Sequence, residues 1–345
     1  MTVSAISTHQ LRVEDLAASH YYEQLVRLYD ADSIATPFQH PNLLLIWWET
    51  VGRDESGLES LIVLGVDASD AVRWYVPLAI ENTAPEGHPV VRYLGDLYAD
   101  YHTLVCDPVL SRASATAAFR RFLRAGHWPT IRLSEWRCHD DSDGFAAPEW
   151  QLRPGTECPY LDLTDPQLVR GVLAKQEYAV KARRLDRLGG VGLRMLHGDE
   201  AVGAPLNDFV RMHRTQWEGE AAVGGFEDPA VERFFRGITE CPALSQQVVL
   251  FVLTLDGTAI AYYFCFIKGA VCYDYRTSYD VTLRKLSPGA LLLRAMVDLL
   301  AAEGFAEFDF MRGAYAYKKR FASGIRQNLS LISRPVDSAP EDVAP

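Results

Sequence analysis

Two separate stretches of the chain have the same order of predicted secondary structure, and this repetition limits the fold more than any other feature. In the first half, "LIVLGV" and "RWYVPLAI" flank the turn "DASDAV", and short strands, the helix "RASATAAFRRFLRAG" and the strand "TIRLSEW" follow. In the second half, "QVVLFVLTL" and "TAIAYYFCFI" flank "DG", a strong hairpin signal, and the strand "VCYDYRTSYD", the helix "GALLLRAMVDLLAAEG" and the strand "FAEFDFM" follow. The pattern predicts two α/β modules in tandem.

The segment "HDDSDGFAAPEWQLRPGTE" between the halves is rich in Asp, Gly and Pro and is typical of a linker. We therefore place the N-terminal module at residues 1–150 and the C-terminal module at residues 151–333. After the linker, "TDPQLVRGVLAKQEYAVKARRLDRLGG" has a Pro in its first turn and a Gly-Gly stop, which predicts one long helix. Two further helices are expected around Asn207 to Trp217 and Pro229 to Glu240. Repeated prolines predict a disordered tail at 334–345.

Composition indicates a globular protein and excludes some partners. The 345 residues, 48% of them hydrophobic, suffice for two domains, and no apolar run approaches the roughly 20 residues of a membrane span. The net charge of −11 argues against nonspecific binding to nucleic acid. The N-terminus has no signal-peptide pattern, which predicts a cytoplasmic protein, and the six scattered cysteines are expected to be reduced.

One basic segment, "KQEYAVKARRLDRLGG", stands out from the acidic background. It is either a solvated helix face or a surface for phosphates or anionic lipid. A peripheral contact with the inner face of the membrane therefore stays open.

The corner Ser287-Pro288-Gly289 lies directly before a strongly apolar helix. A helix N-terminus has unpaired N–H groups and a partial positive charge, so it attracts anions. The expected donors are the N–H groups of Gly289 and Ala290, followed by those of Leu291 and Leu292. Since many helices begin at Pro-Gly, an ordinary helix start and a phosphate-binding loop both remain open.

An ordered series of motifs adds to this corner. The motifs are "TPFQHPNLLLIWWETVG", "LGDLYADYHTLV", "HRTQW", "YRTSYD", "SPGALLL", "EFDFMRG" and "YKKRF". On these motifs the chain resembles the GNAT superfamily of acyl-CoA-dependent N-acyltransferases from about Pro37 to Ser333. More narrowly, it resembles the double-module branch labelled CelD-like or BioF2-like, which is related to the FemAB aminoacyltransferases. The resemblance implies two tandem GNAT-like modules, each a mixed, mostly antiparallel twisted sheet flanked by helices.

The resemblance also implies where a donor would bind. An acyl-CoA would place its pantetheine arm between two splayed parallel strands and its pyrophosphate on the "SPGA" loop. The expected cofactor contacts are Ser287, Gly289, Ala290, Leu291, Arg284 and Lys318. Of the usual GNAT loop pattern, only Gly289 and Ala290 are present.

Thioester aminolysis needs a neutral amine, and an alkylamine has a pKa of about 10.4, so a base or a water relay must take its proton. Strand alternation puts Glu307 and Asp309 on one face. Asp309 is the first candidate for a base or an amine-orienting carboxylate, and an ion pair with an arginine such as Arg312 is the alternative. Asp274 and Asp280 are the second candidates.

Other roles follow from the resemblance. Tyr317 is expected near the CoA sulfur as a proton donor to the thiolate. The branch commonly has two acids at the positions of Ala314 and Ala316, and this chain has neither. The expected acceptor contacts, in part facing a cleft between the modules, are Asp100, Tyr101, His102, His213, Trp217 and Tyr275. Simple burial is the alternative for His102, and core packing is the alternative for the histidine and tryptophan of "HRTQW".

The leading hypothesis is an acyl-CoA-dependent N-acyltransferase that needs no metal. Its acceptor would be a primary amine of a small molecule, a lipid precursor such as a sphingoid base, or an envelope component. The alternatives are FemAB-like transfer from aminoacyl-tRNA and a non-catalytic binding protein with the same fold. No hydrolase, P-loop or zinc motif is present. The acyl length and the oligomeric state stay open.

Overall fold

The structure is a computed structural model that describes residues 6–85, 87–96, 98–137, 150–218 and 225–333. The chain divides into two units, Met1–Thr156 with Gln327–Pro345, and Glu157–Arg326. Strands β7 (Trp150–Asp162) and β13 (Gly324–Ser333) pass from one unit to the other. The second part of the predicted linker is thus strand β7, while its first part and the tail at 334–345 lie outside the described residues. The predicted domain boundaries stay a prediction.

Unit 1 has a mixed sheet with helices between its strands. Its elements are β1 (Ser7–Leu11), α1 (Val13–Leu16), α2 (Tyr22–Ala31), α3 (Pro41–Thr50), β2 (Leu58–Val66), β3 (Val72–Glu81), β4 (Val90–Tyr93), β5 (Val105–Cys106), α4 (Arg112–Ala125) and β6 (Thr130–Trp136), with parts of β7 and β13. The strand order is β1-β2-β3-β4-β6-β13, and β5 pairs with β3. All neighbours are antiparallel except β4 and β6, which are parallel.

Unit 2 contains the second set of predicted elements. They are α5 (Pro166–Leu173), α6 (Gln176–Asp186), β8 (Val191–His197), α7 (Ala204–Gln216), α8 (Pro229–Glu240), β9 (Val248–Leu255), β10 (Thr258–Lys268), β11 (Val271–Tyr279), α9 (Pro288–Ala302), β12 (Glu307–Asp309) and α10 (Ala316–Phe321), with parts of β7 and β13. The strand order is β7-β12-β11-β10-β9-β8. Again one pair is parallel, β11 with β12, and the others are antiparallel.

The two units therefore share an element order of hairpin, strand, helix and parallel strand, which confirms the predicted fold class. The predicted hairpins are β2 with β3 and β9 with β10. Asp256 and Gly257 both have positive φ, 49° and 80°, as a two-residue hairpin turn requires. The helices predicted around Asn207 and Pro229 are α7 and α8.

The segment predicted as one long helix forms two helices, α5 and α6, which are separated at Ala174 and Lys175. Lys175 has φ −58° and ψ 111°, outside the helical region. Its ammonium donates to the carbonyl of Arg320 and lies 5.0 Å from the centre of the Phe321 ring. Tyr178 stacks on Phe321 at 5.3 Å. These tertiary contacts favour two separate helices over one continuous helix. They cannot be predicted from the local sequence pattern, because the contacted residues are distant in sequence.

Each unit has its own hydrophobic core. In unit 2, α9 packs against the sheet through Leu292, Val297 and Phe308, all fully buried. In unit 1, α4 packs on β2 and β3 through Phe119 and Trp74. Truncation of such a leucine to alanine costs about 2–5 kcal/mol, so these cores hold the strands and helix termini in place. Within the described ranges, no helix has the length and hydropathy of a membrane span.

Candidate functional site

The parallel strands β11 and β12 pair only at their beginnings. The pairing runs from Val271 opposite Glu307 to Tyr273 opposite Asp309, where β12 ends while β11 continues to Tyr279. A register shift in the pairing with β10 falls at the same level, because Phe264 pairs with Arg276 whereas Cys265 pairs with Asp274. Such a bulge bends a strand and increases its twist. From Asp274 onward, no strand of the described residues pairs with the edge of β11 that faced β12.

The chain that leaves β12 turns toward β7. Asp309 is fully buried, and its Oδ1 accepts from the backbone N–H of Met311 at 2.7 Å. Met311 has a positive φ of 59°, which redirects the chain. The N–H of Phe310 then donates to the carbonyl of Pro159 at 3.0 Å. These bonds keep the segment after β12 away from β11. We call the space between them the β11/β12 opening.

Helix α9 begins beside the end of β11 with an uncapped N-terminus. Ser287 precedes it in the left-handed region (φ 54°, ψ 56°), and the Ser287 side chain makes no capping hydrogen bond. Pro288 has no N–H, and the N–H groups of Gly289 and Ala290 come before the first intrahelical bond. That bond runs from the N–H of Leu291 to the carbonyl of Ser287 at 3.1 Å. The prediction that the Leu291 N–H is available was therefore wrong, and its side chain lies in the core.

The surroundings of this N-terminus fit an anion. The ammonium of Lys181, on α6, lies 2.8 Å from Oγ of Ser287 and adds a positive charge. A Cβ added to Gly289 would contact only Cδ1 of Tyr279, at 3.7 Å, which is ordinary van der Waals distance. Packing within the chain thus does not require a glycine here. A backbone left open in this way suits the close approach of phosphate oxygens.

The corresponding helix of unit 1 is closed. Oγ of Ser111 caps α4 by accepting from the N–H of Ser114 at 3.4 Å. Arg112, the first residue of α4, donates to both carboxylate oxygens of Asp32 at 2.8 Å. The parallel pair β4/β6 also separates after Val91, but His102 forms a β-bridge with Trp136 farther along β6. Unit 1 therefore fills with its own chain the position that is open in unit 2.

A buried carboxylate lies close to two phenols in unit 2. Asp274 is 5% exposed, and its negative charge raises the pKa of Tyr263 and of Tyr317, in both cases after the larger effect of burial. Tyr317 lies on α10 with 43% of its surface exposed, so the ring is partly accessible. The hydroxyl is protonated at neutral pH, as in an ordinary tyrosine, and its raised pKa makes it a weaker acid.

The two other acids predicted as catalytic have structural contacts. Oδ2 of Asp309 lies 3.3 Å from the guanidinium of Arg326, which also binds Glu307. Glu307 and Asp309 thus lie on one face as predicted, and Arg326 forms an ion pair with both. Oδ1 of Asp280 accepts from the N–H of Thr282 at 2.9 Å and caps the 3₁₀ turn Val281–Leu286. A catalytic role for either acid stays a prediction.

The remaining predicted cofactor contacts differ in burial. Lys318 is buried, and its ammonium donates to the carbonyls of Phe310 and Arg312 at 2.6 and 2.7 Å. It thereby fixes the chain that borders the β11/β12 opening. Arg284 is exposed on the 3₁₀ turn before Ser287. Phosphate contacts for both residues stay predictions.

On the other face of the sheet, α7 and α8 enclose an aromatic cluster. Neighbouring rings in this cluster have centres 4.8–6.3 Å apart, and the rings are those of Phe209, His213, Phe226, Phe235 and Tyr275. 

 Burial, followed by the positive charge of Arg276, lowers the pKa of His213 to about 4, so this imidazole is neutral at neutral pH. The ring centre of Trp217 lies 6.2 Å from that of His213. The structure thus brings three predicted acceptor residues, His213, Trp217 and Tyr275, to one face of unit 2.

The predicted acceptor residues of unit 1 are mostly interior. Tyr101 and His102 are 0% and 1% exposed. Nε2 of His102 lies 3.3 Å from Asp96, and its ring stacks on Tyr93 at 4.2 Å. Asp100 is partly buried, and its carbonyl accepts from Asn328 at 3.4 Å. An acceptor role for these residues stays a prediction.

Sequence reasoning did not single out Lys181, Arg326 or Ser278. Lys181 belongs to the basic segment noted above, but the pattern does not single it out from its neighbours. Arg326 is far in sequence from the acids that it binds. Ser278 is fully buried on β11, and its position in an alternating strand was the only available signal. In the described part of the chain, no three or more His, Cys, Asp or Glu residues are arranged to hold a metal ion.

Comparison with known proteins agrees with this geometry. Residues 174–319 match the family model described as an acetyltransferase (GNAT) domain. This part of the chain is therefore similar to GNAT domains. The matched residues include the β11/β12 opening, α9 and most of α10. No curated protein matches the chain.

Solved structures resemble the chain over most of its length. FemX has a TM-score of 0.62 and 10% identity, covering 94% of this chain and 96% of its own. The C-terminal domain of a protein named as a lysylphosphatidylglycerol synthetase from Agrobacterium fabrum has a TM-score of 0.60 and 12% identity, covering 94% and 92%. L-PGS from Bacillus licheniformis has a TM-score of 0.58 and 11% identity, covering 90% of each chain. At such identities the likeness is one of fold alone, and the chain shares that fold with FemX and with the two synthetase structures.

Proposed function

We propose that unit 2 binds an acyl-CoA and transfers its acyl group to a primary amine. The observation that carries the proposal is the uncapped N-terminus of α9 beside the β11/β12 opening, within the residues that match the GNAT family model. The N–H groups of Gly289 and Ala290 would bind the diphosphate, and Lys181 would add charge compensation. Unit 1 supports the assignment by contrast, because Ser111 and Arg112 close the start of its corresponding helix.

The part of β11 that extends beyond β12 would hold the pantetheine arm. The pairing of β11 with β12 ends at Tyr273, and the amides of pantetheine would lie along the following residues of β11. The thioester would then lie near the bulge, at the level of Asp274 and Tyr275. The bound acyl-CoA supplies the activated carbonyl, and the residues of the chain hold it in place.

Tyr317 is the proposed proton donor to the leaving thiolate. Burial, followed by the negative charge of Asp274, raises the pKa of this hydroxyl, so the phenol is protonated before reaction. Asp274 is a better candidate than Asp309 for the base or the amine-orienting carboxylate, because the carboxylate of Asp309 is held by Met311 and Arg326.

The proposed acceptor is a primary amine of a small molecule, a lipid precursor such as a sphingoid base, or an envelope component. A cytoplasmic location is part of the proposal. So is a peripheral contact with the inner face of the membrane, which Arg183, Arg184 and Arg187 favour because they are exposed near the end of α6.

Calorimetric titration with acetyl-CoA and palmitoyl-CoA tests donor binding. The informative variant is Gly289→Glu, because an acid in the first turn suits the helix dipole but repels a diphosphate. We expect at least a tenfold loss of affinity with an unchanged melting temperature. The matched control is Ser114→Glu, which adds the same charge to the first turn of α4, where Ser111 is the cap. Binding of neither CoA ester by the wild-type protein, or equal affinities for Gly289→Glu and wild type, would contradict the proposal.

A second candidate is transfer from aminoacyl-tRNA, which the fold likeness to FemX favours. The two candidates differ in their products. An acyl-CoA enzyme releases free thiol only when amine is added, whereas a tRNA-dependent enzyme transfers a labelled amino acid from charged tRNA and ignores CoA esters.

A further inference from the structure

The last turn of α7 and the end of β11 together enclose buried polar atoms that no described residue satisfies. Within the ranges that the structure describes, Nδ1 of His213, Nε1 of Trp217 and Oγ of Ser278 have no hydrogen-bond partner. His213 is 5% exposed and Ser278 is 1% exposed. A buried polar atom left in this state costs about 1–3 kcal/mol, so its presence calls for an explanation such as a bound ligand.

These groups lie on the same side of the sheet. The N–H of Tyr279 donates to Oε1 of Gln216 at 3.0 Å, which joins the end of α7 to the end of β11. The side chain of Tyr279 points to the α9 side, toward Gly289. Because side chains alternate along a strand, Ser278 points to the α7 side. Arg276, two residues earlier, is near enough to His213 to affect its pKa.

A matched serine shows that burial alone does not leave a hydroxyl without a partner. Ser60, on β2 of unit 1, is 0% exposed. Its Oγ accepts from the N–H of Val13 at 2.9 Å and donates to Glu14 at 2.5 Å. Ser278 is as deeply buried and has neither kind of bond. Its hydroxyl therefore contributes nothing to the packing of the chain that alanine would not.

The charge of the surroundings limits what can bind. The guanidinium of Arg276 and the low polarity of the interior keep the His213 imidazole uncharged. The same two effects oppose an ammonium ion at this place and favour an uncharged amine. Phe209 and Phe226 pack around His213 at 6.3 and 5.0 Å, so an alkyl group next to the amine would be accommodated.

We propose that His213 and Ser278 form the subsite that holds the acceptor amine in its neutral form. This inference rests on the proposed function and deepens it. The amine N–H would donate to Nδ1 of His213, and Oγ of Ser278 would make the second hydrogen bond. A subsite of this kind selects the nucleophilic form of the acceptor before the thioester is reached.

The test is a calorimetric titration of the full chain with hexylamine, over a pH range that ends near the amine pKa of about 10.4. Below that pKa, the affinity should rise about tenfold per pH unit, because only the neutral fraction binds. Hexanol, which has no titratable group, is the probe control and should show no such slope. Affinity for hexylamine that is flat or falls with pH would overturn the proposal.

Variants assign the binding to these two residues. His213→Ala and Ser278→Ala should each weaken hexylamine binding about tenfold, which corresponds to one lost hydrogen bond of about 1.4 kcal/mol. His197→Ala, on strand β8, is the matched control and should bind as wild type does. If His213→Ala does not fold, Ser278→Ala decides, because it removes only an unpartnered hydroxyl. Unchanged hexylamine affinity in Ser278→Ala would contradict the proposal.

Titration of the same variants with acetyl-CoA separates the two proposals. We expect donor affinity to be unchanged in His213→Ala and Ser278→Ala. If the wild-type protein binds no acetyl-CoA, the proposed function is contradicted. If it binds acetyl-CoA normally and the two variants bind hexylamine as wild type does, only the amine subsite is contradicted.

Discussion

The ammonium group of Lys181 lies 2.8 Å from the hydroxyl oxygen of Ser287, the residue that precedes helix α9. This contact brings a positive charge from α6 to the uncapped start of α9, where Gly289 and Ala290 have N–H groups outside the intrahelical ladder. It links the basic segment of the sequence to the proposed diphosphate site.

Lys181→Met should therefore weaken acetyl-CoA binding about tenfold at low salt, roughly the effect of one charge-assisted hydrogen bond. The difference from wild type should shrink as salt is added, because the interaction is partly exposed. Calorimetry at two salt concentrations measures both effects. Lys319→Met, which removes an exposed pair with Glu157, is the control and should leave affinity unchanged. Equal affinities of Lys181→Met and wild type for acetyl-CoA would show that Lys181 does not contribute to the diphosphate site.

Tyr317→Phe should lower kcat for acyl transfer by about 100-fold, the lower end of the usual contribution of a positioned proton donor. The melting temperature should change little, because 43% of the Tyr317 surface is exposed. Tyr315→Phe is the control, since Tyr315 is more exposed and its ring is parallel to that of Tyr317 at 6.4 Å. Steady-state release of free thiol measures kcat. A wild-type rate in Tyr317→Phe would exclude the proton-donor role.

Asp309→Ala should act on stability. Asp309 is fully buried, accepts from Met311 at 2.7 Å and faces Arg326 at 3.3 Å. Loss of these contacts should lower the free energy of unfolding by about 3–5 kcal/mol, as for other broken buried pairs. Denaturant titration measures this change. A large fall in kcat at unchanged stability would instead favour Asp309 as the general base.

His213 should make the stability of the protein depend on pH. Its pKa is lowered to about 4 in the folded protein, against an ordinary value of 6.5, so the unfolded chain binds the additional proton between these values. Stability should thus rise with pH from about 4 to 6.5, and His213 should account for about 2 kcal/mol of loss between pH 7 and pH 5. Unfolding of wild type and His213→Gln at both pH values measures this. An equal loss in the two proteins would mean that His213 is not buried and neutral.

The fold could be predicted because its signals are local or periodic. The Asp256-Gly257 turn fixes the β9/β10 hairpin through two positive φ angles, and the apolar face of α9 follows the helical period. The repeated order of elements then led to two modules. The break between α5 and α6 was missed because Lys175 is drawn toward Arg320 and Phe321, which lie in a different part of the sequence.

The candidate site was predicted less completely, for a related reason. Gly289 and Ala290 were found because an uncapped helix start is a sequence-local feature. The partners of Asp309, by contrast, depend on the distant Arg326, and the absence of a partner for Ser278 depends on how α7 packs on β11. A strand pattern predicts which face of the sheet a side chain lies on, but it does not predict which residues contact that side chain.

A crystal structure of the protein with bound CoA is the decisive measurement for the donor site. We expect diphosphate oxygens about 3 Å from the backbone nitrogens of Gly289 and Ala290, with the pantetheine arm along β11 between Asp274 and Tyr279. Density for the nucleotide at any other place, or a β11/β12 opening occupied by side chains of the protein itself, would contradict it.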